Sequence, residues 1–423
     1  MMSKDFLGIK VTLDSRLVKK GDFFVPVVGE NFDGNKFIKK ALDNGAKGVI
    51  EEEDLYKLAK KKLKHISPTV IAVTGSVGKS STTRFIGSLL ASKYEVGIGS
   101  LNTKLGLAVN IINDLSLSCE FFIAECGMDR KGELFSTGTF INPDVAVLTS
   151  IGISHAEKLG DLEDIKDAKS ELLKTLSKEG VVFYNRRVSS VREVVSRFPN
   201  LKKVPYGYFS KASRLYTSTP NLIGQHQKIN AHGAYKVAKF FGVNPNKALL
   251  NSLEPLKGRL RLLDGMKGSL ILDDTYNASP DSVLYALKTF IDYSKSLQTL
   301  SGRKVLVLGH MAELGKYTLE GHYKVGDFIS KNKKHFDLLI VVGNIARNIL
   351  ESPLFKKHPI ESLFFEDSQK AGVYLKKIFK PNLGDLILFK GSQSARIEKA
   401  IKPILKNPRK ASQLLVRQDV RWM

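Results

Sequence analysis

Hydrophobic and polar positions along the chain follow two alternating periods. Short apolar runs rich in β-branched residues recur over most of the length, and longer segments with helical periodicity separate them. This alternation predicts βαβ units, in which parallel strands form a sheet that helices cover. The predicted helices include 36–44, 162–176 and 231–241. The predicted strands are 22–27, 69–74, 121–125, 145–150, 180–184, 269–273, 304–308, 337–342, 362–365 and 385–389.

Two breaks in this pattern divide the chain into three predicted α/β domains. The first break is Ser67-Pro68, and the second is the segment 253–258, where Pro and Gly interrupt the periodicity. We predict a small α/β N-terminal domain over 1–67 and a central domain with a parallel sheet over 68–257. The strands that resume after the second break predict a C-terminal Rossmann-like domain over 258–423.

The charge balance narrows the possible partners. The chain of 423 residues has 66 Lys and Arg against 42 Asp and Glu, a net charge of +24, which attracts polyanions. These cations are scattered from Lys4 to Arg421, and neither an RNA-recognition aromatic signature nor a zinc-finger spacing is present. Such polyanions are nucleic acid, anionic membrane surfaces or phosphorylated small molecules. The scatter favours a general property of the surface, and we expect no nucleic-acid partner.

Apolar segments and cysteines indicate the compartment. No apolar stretch reaches the roughly 18 residues that span a bilayer, and residues 1–10 lack the apolar core of a signal peptide. We expect a cytoplasmic protein without a transmembrane segment. Cys119 and Cys126 flank an apolar run and have no metal-ligand spacing, so they are interpreted as buried thiols.

The strongest chemical signal is a glycine-rich loop after the predicted strand 69–74. The loop and helix start read Gly75, Ser76, Val77, Gly78, Lys79, Ser80 and Ser81. In such a turn, backbone N–H groups point at a phosphate, and the following helix N-terminus favours negative charge. Lys79 is expected to reach the outer phosphates of ATP, and the Ser80 hydroxyl to bind Mg²⁺. Val73 stands where the general phosphate-loop pattern has glycine, so a plain glycine turn with a surface lysine is the alternative.

Motifs in all three predicted domains resemble the Mur ligases, ATP-dependent enzymes that form amide bonds in peptidoglycan precursor synthesis. The resemblance covers nearly the whole chain. It implies a ligase that adds D-alanyl-D-alanine to UDP-N-acetylmuramoyl-tripeptide through an acyl-phosphate intermediate. The motifs are Thr74-Gly75-Ser76-Val77-Gly78-Lys79-Ser80, Glu125-Cys126-Gly127-Met128, Thr149-Ser150-Ile151-Gly152-Ile153-Ser154-His155-Ala156-Glu157, Asp273-Asp274-Thr275-Tyr276-Asn277-Ala278-Ser279-Pro280, Gly309-His310-Met311-Ala312-Glu313-Leu314-Gly315 and Lys390-Gly391-Ser392.

The resemblance also implies roles for individual residues around ATP and magnesium. Glu125 and His155 are implied as magnesium ligands beside Ser80, and Lys169 as a catalytic lysine that is carbamylated to give a further metal-binding carboxylate. Asn230 is implied at the adenine, Arg259 at the phosphates and Asp274 at the ribose or the hinge. Three plainer interpretations stay open: a hydrogen-bonding histidine at 155, a solvated lysine at 169, and an Asp274 that caps the following helix.

The remaining implied residues concern the two substrates. Ser15, Arg16 and Asn31 are implied at the uridine diphosphate, and Asn102 and Thr103 at the sugar nucleotide. For the acceptor, Glu313 can face an ammonium group, and Lys390 or Ser392 can bind a carboxylate or phosphate, without a firm assignment.

Two other functions are compatible with parts of the sequence. One is a different ligase of the same superfamily, which extends folate with glutamate or adds another amino acid to the muramoyl peptide. The other is a nucleotide-gated protein that uses the phosphate loop and the basic surface on nucleic acid. For the ligase that the resemblance implies, we expect a monomer.

Overall fold

The computed structural model describes residues 8–29, 32–153, 156–207, 219, 221–297, 302–419 and 422. These residues form two compact units. The first unit contains the described parts of 1–151, 166–208 and 232–246, and the second contains those of 152–165, 209–231 and 247–423. Within the described part of the chain, no helix combines the length and the apolar character needed to cross a bilayer.

The first unit is built on parallel strands. Its strands are β1 (Val11–Thr12), β2 (Phe23–Phe24), β3 (Val28–Gly29), β4 (Phe32–Asp33), β5 (Gly48–Val49), β6 (Thr69–Thr74), β7 (Val96–Gly99), β8 (Phe121–Glu125), β9 (Val145–Leu148), β10 (Val181–Asn185) and β11 (Lys202–Tyr206). A three-stranded parallel sheet has the order β1-β2-β5, and β3 pairs with β4 in an antiparallel ladder. The main sheet is parallel throughout, with the order β11-β10-β9-β6-β8-β7.

The second unit contains another six-stranded sheet. Its strands are β12 (Arg261–Asp264), β13 (Leu270–Asp274), β14 (Lys304–Gly309), β15 (Leu338–Val342), β16 (Ser362–Phe365) and β17 (Leu386–Lys390). Their order is β12-β13-β17-β14-β15-β16, and every pairing is parallel except that of β12 with β13. Alternate residues of β14 and β15 belong to two separate apolar clusters, so both faces of this sheet are covered.

Helices connect the strands in both units. They are α1 (Ile38–Asp43), α2 (Glu52–Ile66), α3 (Lys79–Leu90), α4 (Lys104–Asp114), α5 (Glu133–Ile141), α6 (Ala156–Leu159), α7 (Leu162–Ser170), α8 (Ser189–Ser196), α9 (Gln225–Phe240), α10 (Lys247–Asn251), α11 (Pro280–Ser296), α12 (Thr318–Lys331), α13 (Pro353–Lys357), α14 (Ser368–Tyr374), α15 (Glu398–Ile401) and α16 (Ala411–Leu414). The α/β fold class predicted from the periodicity is confirmed. The boundaries predicted at 67/68 and 257/258 stay predictions.

Three strands agree fully with the prediction from the sequence. Predicted strands 69–74, 121–125 and 362–365 coincide with β6, β8 and β16. Strands β6 and β8 are buried along nearly their whole length, as parallel strands covered on both faces must be, and so they appear as continuous apolar runs. In the two six-stranded sheets, the unpredicted strands are β7, β11 and β12, which all lie at sheet edges and contain glycine, proline or charged residues.

Several predicted boundaries are wrong for local reasons. The strand expected over 22–27 shrinks to β2, since Pro26 has no N–H to donate to a ladder. The helix expected over 36–44 starts as a 3₁₀ turn, Gly34–Phe37, before α1, and the one expected over 162–176 changes to 3₁₀ after Ser170. The helix expected over 231–241 begins earlier, since α9 starts at Gln225.

Candidate nucleotide and metal site

The glycine-rich loop lies at the carboxyl end of β6, where parallel sheets collect their ligands. A Cβ atom at position 75 would lie 2.1 Å from Oγ1 of Thr149, so only glycine fits there. Gly78 has a φ of +93° and precedes the first residue of α3, Lys79. The loop therefore leads directly into a helix N-terminus, which favours a bound anion.

A segment after β9 braces this loop. The Ser76 N–H donates to the Ser150 carbonyl (2.9 Å), and the Val77 N–H donates to Oγ of Ser150 (2.8 Å). Oγ1 of Thr149 donates to the Val77 carbonyl (2.6 Å). Lys79 folds back, and its Nζ donates to the Gly75 carbonyl (2.7 Å). Loop conformation is thus fixed mainly by uncharged groups. Thr149 and Ser150 lie in a motif that predicted no bracing role for them.

Three donors from neighbouring elements hold the bracing segment in turn. Tyr206 Oη donates to the Leu148 carbonyl (3.0 Å), Asn185 Nδ2 to the Thr149 carbonyl (3.0 Å) and Ser190 Oγ to the Ile151 carbonyl (2.6 Å). All three interactions are buried. Because buried carbonyls rarely stay unpaired, these donors fix the backbone on which the phosphate loop rests.

Two side chains whose oxygen atoms can bind a metal ion lie in contact beside the loop. Ser80 Oγ donates to Oε1 of Glu125 at 3.0 Å, and the Glu125 side chain is buried at the end of β8. A hydroxyl and a carboxylate are hard oxygen ligands, the type that Mg²⁺ prefers, so these residues fit the ion. His155 lies outside the described residues. Among residues that are described, no group of three or more His, Cys, Asp or Glu side chains comes together for a metal.

Lys169 is a nearly fully buried lysine on α7, with a relative exposure of 2%. Burial, assisted by the nearby Lys79 cation, holds the pKa of Lys169 well below its usual value. No carboxylate in the described part of the chain forms an ion pair with it. The plain interpretation of Lys169 as a solvated surface lysine is therefore wrong.

The N-terminal candidates occupy well-defined local positions. Ser15 is buried in a 3₁₀ turn, and its carbonyl accepts from Asn44 (2.8 Å). Arg16 forms a two-point contact with Asp14, in which Nε and Nη2 donate to the carboxylate at 2.9 and 2.7 Å. Asn31 lies outside the described residues.

The loop that precedes α4 places Asn102 next to the end of β8. The Asn102 carbonyl accepts from the Gly127 N–H (2.8 Å), two residues beyond Glu125. Thr103 is the N-cap of α4, and its Oγ1 accepts from the Gly106 N–H (3.1 Å). The structure thus brings Asn102 to the strand that carries Glu125, while the Thr103 hydroxyl serves the helix.

Arg259 and Asp274 belong to the second unit and lie close together there. The Arg259 guanidinium carbon is 4.0 Å from the centre of the Tyr276 ring, a cation–π contact. Oδ1 of Asp274 accepts from the Leu260 N–H (3.1 Å), and Oδ2 forms an ion pair with Lys390 at 2.7 Å. Tyr276 lies in a motif that predicted no role for it, although an aromatic residue two positions after a strand-end aspartate was the available signal.

The alternative in which Asp274 caps the next helix is wrong. Helix α11 has Ser279 as its N-cap, in a capping box with Ser282. Lys390 is buried and also donates to the Asn277 carbonyl (2.9 Å), so its ammonium is engaged within the unit. Ser392 is likewise engaged, since its Oγ accepts from the Ala312 N–H (2.8 Å).

Two titratable groups with shifted pKa values, the buried Asp273 and the partly buried His226, lie near the Asp274–Lys390 ion pair. Burial raises the pKa of Asp273 to about 6, and the neighbouring Asp274 acts in the same direction. Burial lowers the pKa of His226, on α9, to about 4. Asn230 is also buried on α9. The two cysteines are buried as expected, and burial raises the pKa of Cys126 to about 12.

A phosphate loop at the end of a central parallel strand, with a hydroxyl–carboxylate pair beside it, defines a nucleotide-binding α/β protein. Comparison with known proteins gives the family. The Mur ligase family, catalytic domain, matches residues 10–79, the Mur ligase middle domain 73–245, and the Mur ligase, glutamate ligase domain, 258–393.

Whole-length relatives agree with these matches. UDP-N-acetylmuramoyl-tripeptide–D-alanyl-D-alanine ligase of Bacillus subtilis (strain 168) is 30% identical, covering 94% of this chain and 93% of the relative. The Escherichia coli (strain K12) enzyme of the same name is 26% identical, covering 94% of each chain. The crystal structure of MurF ligase from Thermotoga maritima in complex with ADP has a TM-score of 0.76 at 26% identity, covering 97% of this chain and 99% of that one.

The chain belongs to the Mur ligase family, and it is an ATP-dependent ligase. MurF from Acinetobacter baumannii, at 24% identity and a TM-score of 0.77 over 92% of both chains, has the same fold. The family and the enzyme class predicted from the motifs are confirmed.

Proposed function

We propose that this protein joins D-alanyl-D-alanine to UDP-N-acetylmuramoyl-tripeptide and converts ATP to ADP and phosphate. The observation that carries the proposal is the phosphate loop braced beside the Ser80–Glu125 contact (3.0 Å). The full-length similarity to the Bacillus subtilis enzyme supports the choice of substrates.

The chemistry follows from the weakness of a carboxylate as an electrophile. The terminal carboxylate of the tripeptide attacks the γ-phosphorus of ATP, the bond from that phosphorus to the bridging oxygen breaks, and ADP leaves. The amine of the dipeptide then attacks the acyl phosphate, phosphate leaves, and the nitrogen loses a proton. Residues 75–81 are proposed to hold the phosphates of ATP through the N–H groups at the start of α3 and the Lys79 ammonium, while the Ser76 and Val77 N–H groups donate to Ser150.

Ser80 and Glu125 are proposed as ligands of Mg²⁺, with His155 and Lys169 as further members of the site. When bound, the ion supplies positive charge that offsets the charge of the phosphates. Lys169 is proposed to carry a carbamate, and two properties support this. Its amine is buried, and an uncharged amine is the form that reacts with carbon dioxide.

Lys169→Ala is the direct test of that role. We expect turnover to fall about 100-fold, as for the loss of a group that supports a metal ligand. The exposed Lys174 offers a matched control, Lys174→Ala, which should leave turnover unchanged. NMR with ¹³C-labelled bicarbonate should show a carbamate signal in the wild type that is absent from Lys169→Ala. Undiminished turnover of that variant would remove the role.

Arg259, Asn230 and Asp274 are proposed as the nucleotide contacts from the second half of the chain. Arg259 is proposed to neutralise charge on the transferring phosphoryl group, and Asn230 to bind the adenine. Of the two roles expected for Asp274, its contacts with Leu260 and Lys390 support the hinge over the ribose.

Ser15, Arg16 and Asn31 are proposed to bind the uridine diphosphate, and Asn102 and Thr103 the sugar nucleotide. For Arg16, this requires its guanidinium to keep or exchange the Asp14 contact. We also propose a monomer that works in the cytoplasm, where ATP and nucleotide-linked precursors are made. Sedimentation of the purified chain tests the monomer.

One experiment tests the function as a whole. The enzyme is mixed with ATP, UDP-muramoyl tripeptides that differ at the third residue, and a panel of amines, and the products are identified by mass. We expect an amide product and ADP only when tripeptide and D-alanyl-D-alanine are both present. ATP turnover that ignores both substrates, or that nucleic acid alone stimulates, would contradict the proposal.

A further inference from the structure

Arg417, near the end of the second unit, binds the backbone of the loop that follows β13. Its Nη1 donates to the Tyr276 carbonyl (3.0 Å), and its Nη2 donates to the Thr275 carbonyl. The same Nη2 is 2.8 Å from Oε2 of Glu398. Only 5% of the Arg417 side chain is exposed, and its one planar guanidinium binds two successive carbonyls and a buried carboxylate.

Glu398 fixes the orientation of Arg417. Its carboxylate is fully buried at the start of α15, and it also accepts from Nε of Arg396 at 2.6 Å. Arg396 and Arg417 both have positive φ angles, +51° and +54°, which ordinary residues adopt only when surrounding contacts compensate for the strain. Two arginines in this conformation converge on one buried carboxylate, so the arrangement is specifically built.

The backbone that Arg417 holds carries the surface on which Arg259 lies. The Tyr276 ring is 4.0 Å from the Arg259 guanidinium carbon. The Tyr276 N–H donates to the Gly258 carbonyl (3.0 Å), immediately before Arg259. Residues 256–259 form a turn, called the Arg259 turn, in which the Arg259 N–H donates to the Leu256 carbonyl. Tyr276 thus contacts the Arg259 turn through both its ring and its backbone. Movement of the 275–276 backbone would therefore move Arg259.

We propose that Arg417 is a positioning residue for Arg259, acting through Tyr276, and that Glu398 orients Arg417. This inference rests on the proposed function, in which Arg259 binds the transferring phosphoryl group. Such an interaction is strongest in the transition state, so a displaced Arg259 lowers kcat more than it changes the KM for ATP. Displacements of about 1 Å are enough to cost 100-fold in rate.

The test uses the full-length enzyme with both substrates and follows phosphate release. In Arg417→Met, we expect kcat per folded molecule to fall about 10- to 100-fold, with the KM for ATP within about threefold. Arg417→Lys should not restore kcat, because one ammonium cannot reproduce the planar fork. Arg409→Met, an exposed arginine of the same C-terminal segment, is the matched control and should behave as wild type.

A second variant avoids the buried ion pair. Tyr276 is 43% exposed, so Tyr276→Leu should fold normally while it removes the ring beneath Arg259. We expect its kcat to fall about 3- to 10-fold, as the loss of a cation–π contact predicts. An unchanged kcat in Tyr276→Leu would overturn the proposed route from Arg417 to Arg259.

A double substitution separates positioning from a merely structural role. In an Arg259→Ala background, Arg417→Met should lower kcat less than about twofold, because the group it positions is already absent. A purely structural role would lower the folded fraction, measured by circular dichroism, and leave kcat per folded molecule unchanged. That result, or effects of the two substitutions that multiply, would overturn the inference.

Arg259→Ala alone separates this inference from the proposed function. If Arg259→Ala loses turnover and Arg417→Met does not, the inference fails while the role of Arg259 stands. If Arg259→Ala itself keeps full turnover, the proposed role of Arg259 and the positioning role of Arg417 both fail.

Discussion

The phosphate loop of the first unit and the Arg259 turn of the second unit are held in place by different kinds of interaction. Glycines and uncharged groups fix the loop: Gly75 admits the close approach of Thr149, and the Thr149 and Ser150 hydroxyls bond its backbone. Charged side chains fix the turn, through the Asp274–Lys390 ion pair and the Arg259–Tyr276 contact. A site whose conformation is fixed by backbone and uncharged groups tolerates changes of charge. A site whose conformation is fixed by ionised side chains depends on the charge of each partner.

Removing the loop cation should have the largest effect. Lys79→Met deletes the ammonium proposed to stabilise charge on the transferring phosphoryl group, and we expect kcat/KM for ATP to fall about 1,000-fold. The measurement is phosphate release with both substrates present. Arg84→Met, an exposed cation on the same helix, serves as the control. A loss of less than tenfold would mean that the backbone of the loop binds the phosphates without help from Lys79.

The second-largest loss of turnover is expected at the proposed magnesium ligands, Ser80 and Glu125. Glu125→Gln keeps the size of the side chain and its hydrogen bond with Ser80 but removes the negative charge, so we expect turnover to fall about 100-fold. The Mg²⁺ concentration needed for half-maximal turnover should rise at the same time. Glu120→Gln, on the exposed residue just before β8, is the matched control. An unchanged Mg²⁺ dependence would exclude Glu125 as a ligand.

The same difference explains what the sequence could predict. The loop, β6 and Glu125 were predictable because glycine spacing, a buried apolar strand and a strand-end carboxylate are all local signals. Local residues also predicted the second sheet, apart from its antiparallel edge strand β12. The contacts of Asp274 were not predictable, since Lys390 lies more than a hundred residues away and only the folded sheet pairs β13 with β17. The burial of Lys169 depends on packing in the same way.

A change of shape should disturb the loop more than a change of pH. Gly75→Ala places a methyl group 2.1 Å from Oγ1 of Thr149, and relieving that overlap should cost about 2 kcal/mol of unfolding free energy. Urea titration without nucleotide, followed by circular dichroism, measures the loss. Gly132→Ala is the control for a positive-φ glycine with open space around it, and it should show backbone strain without overlap. Equal losses in the two variants would show that the contact with Thr149 is not what requires glycine at 75.

The Arg259 turn should respond to pH where the loop does not. Asp273, which accepts from the Gly258 N–H (3.2 Å), has a folded-state pKa of about 6, raised above the ordinary value of 3.8. A raised carboxyl pKa means that the folded state binds the proton more tightly, so this group stabilises the fold as pH falls through 6. Between pH 7 and pH 5, the wild type should therefore gain about 1 kcal/mol of unfolding free energy relative to Asp273→Asn. Urea midpoints at the two pH values measure this difference. Thr149→Ala, which removes an uncharged brace of the loop, should shift the midpoint equally at both. If Asp273→Asn also shifts it equally, Asp273 is ionised throughout this range and the Arg259 turn is no more sensitive to charge than the loop.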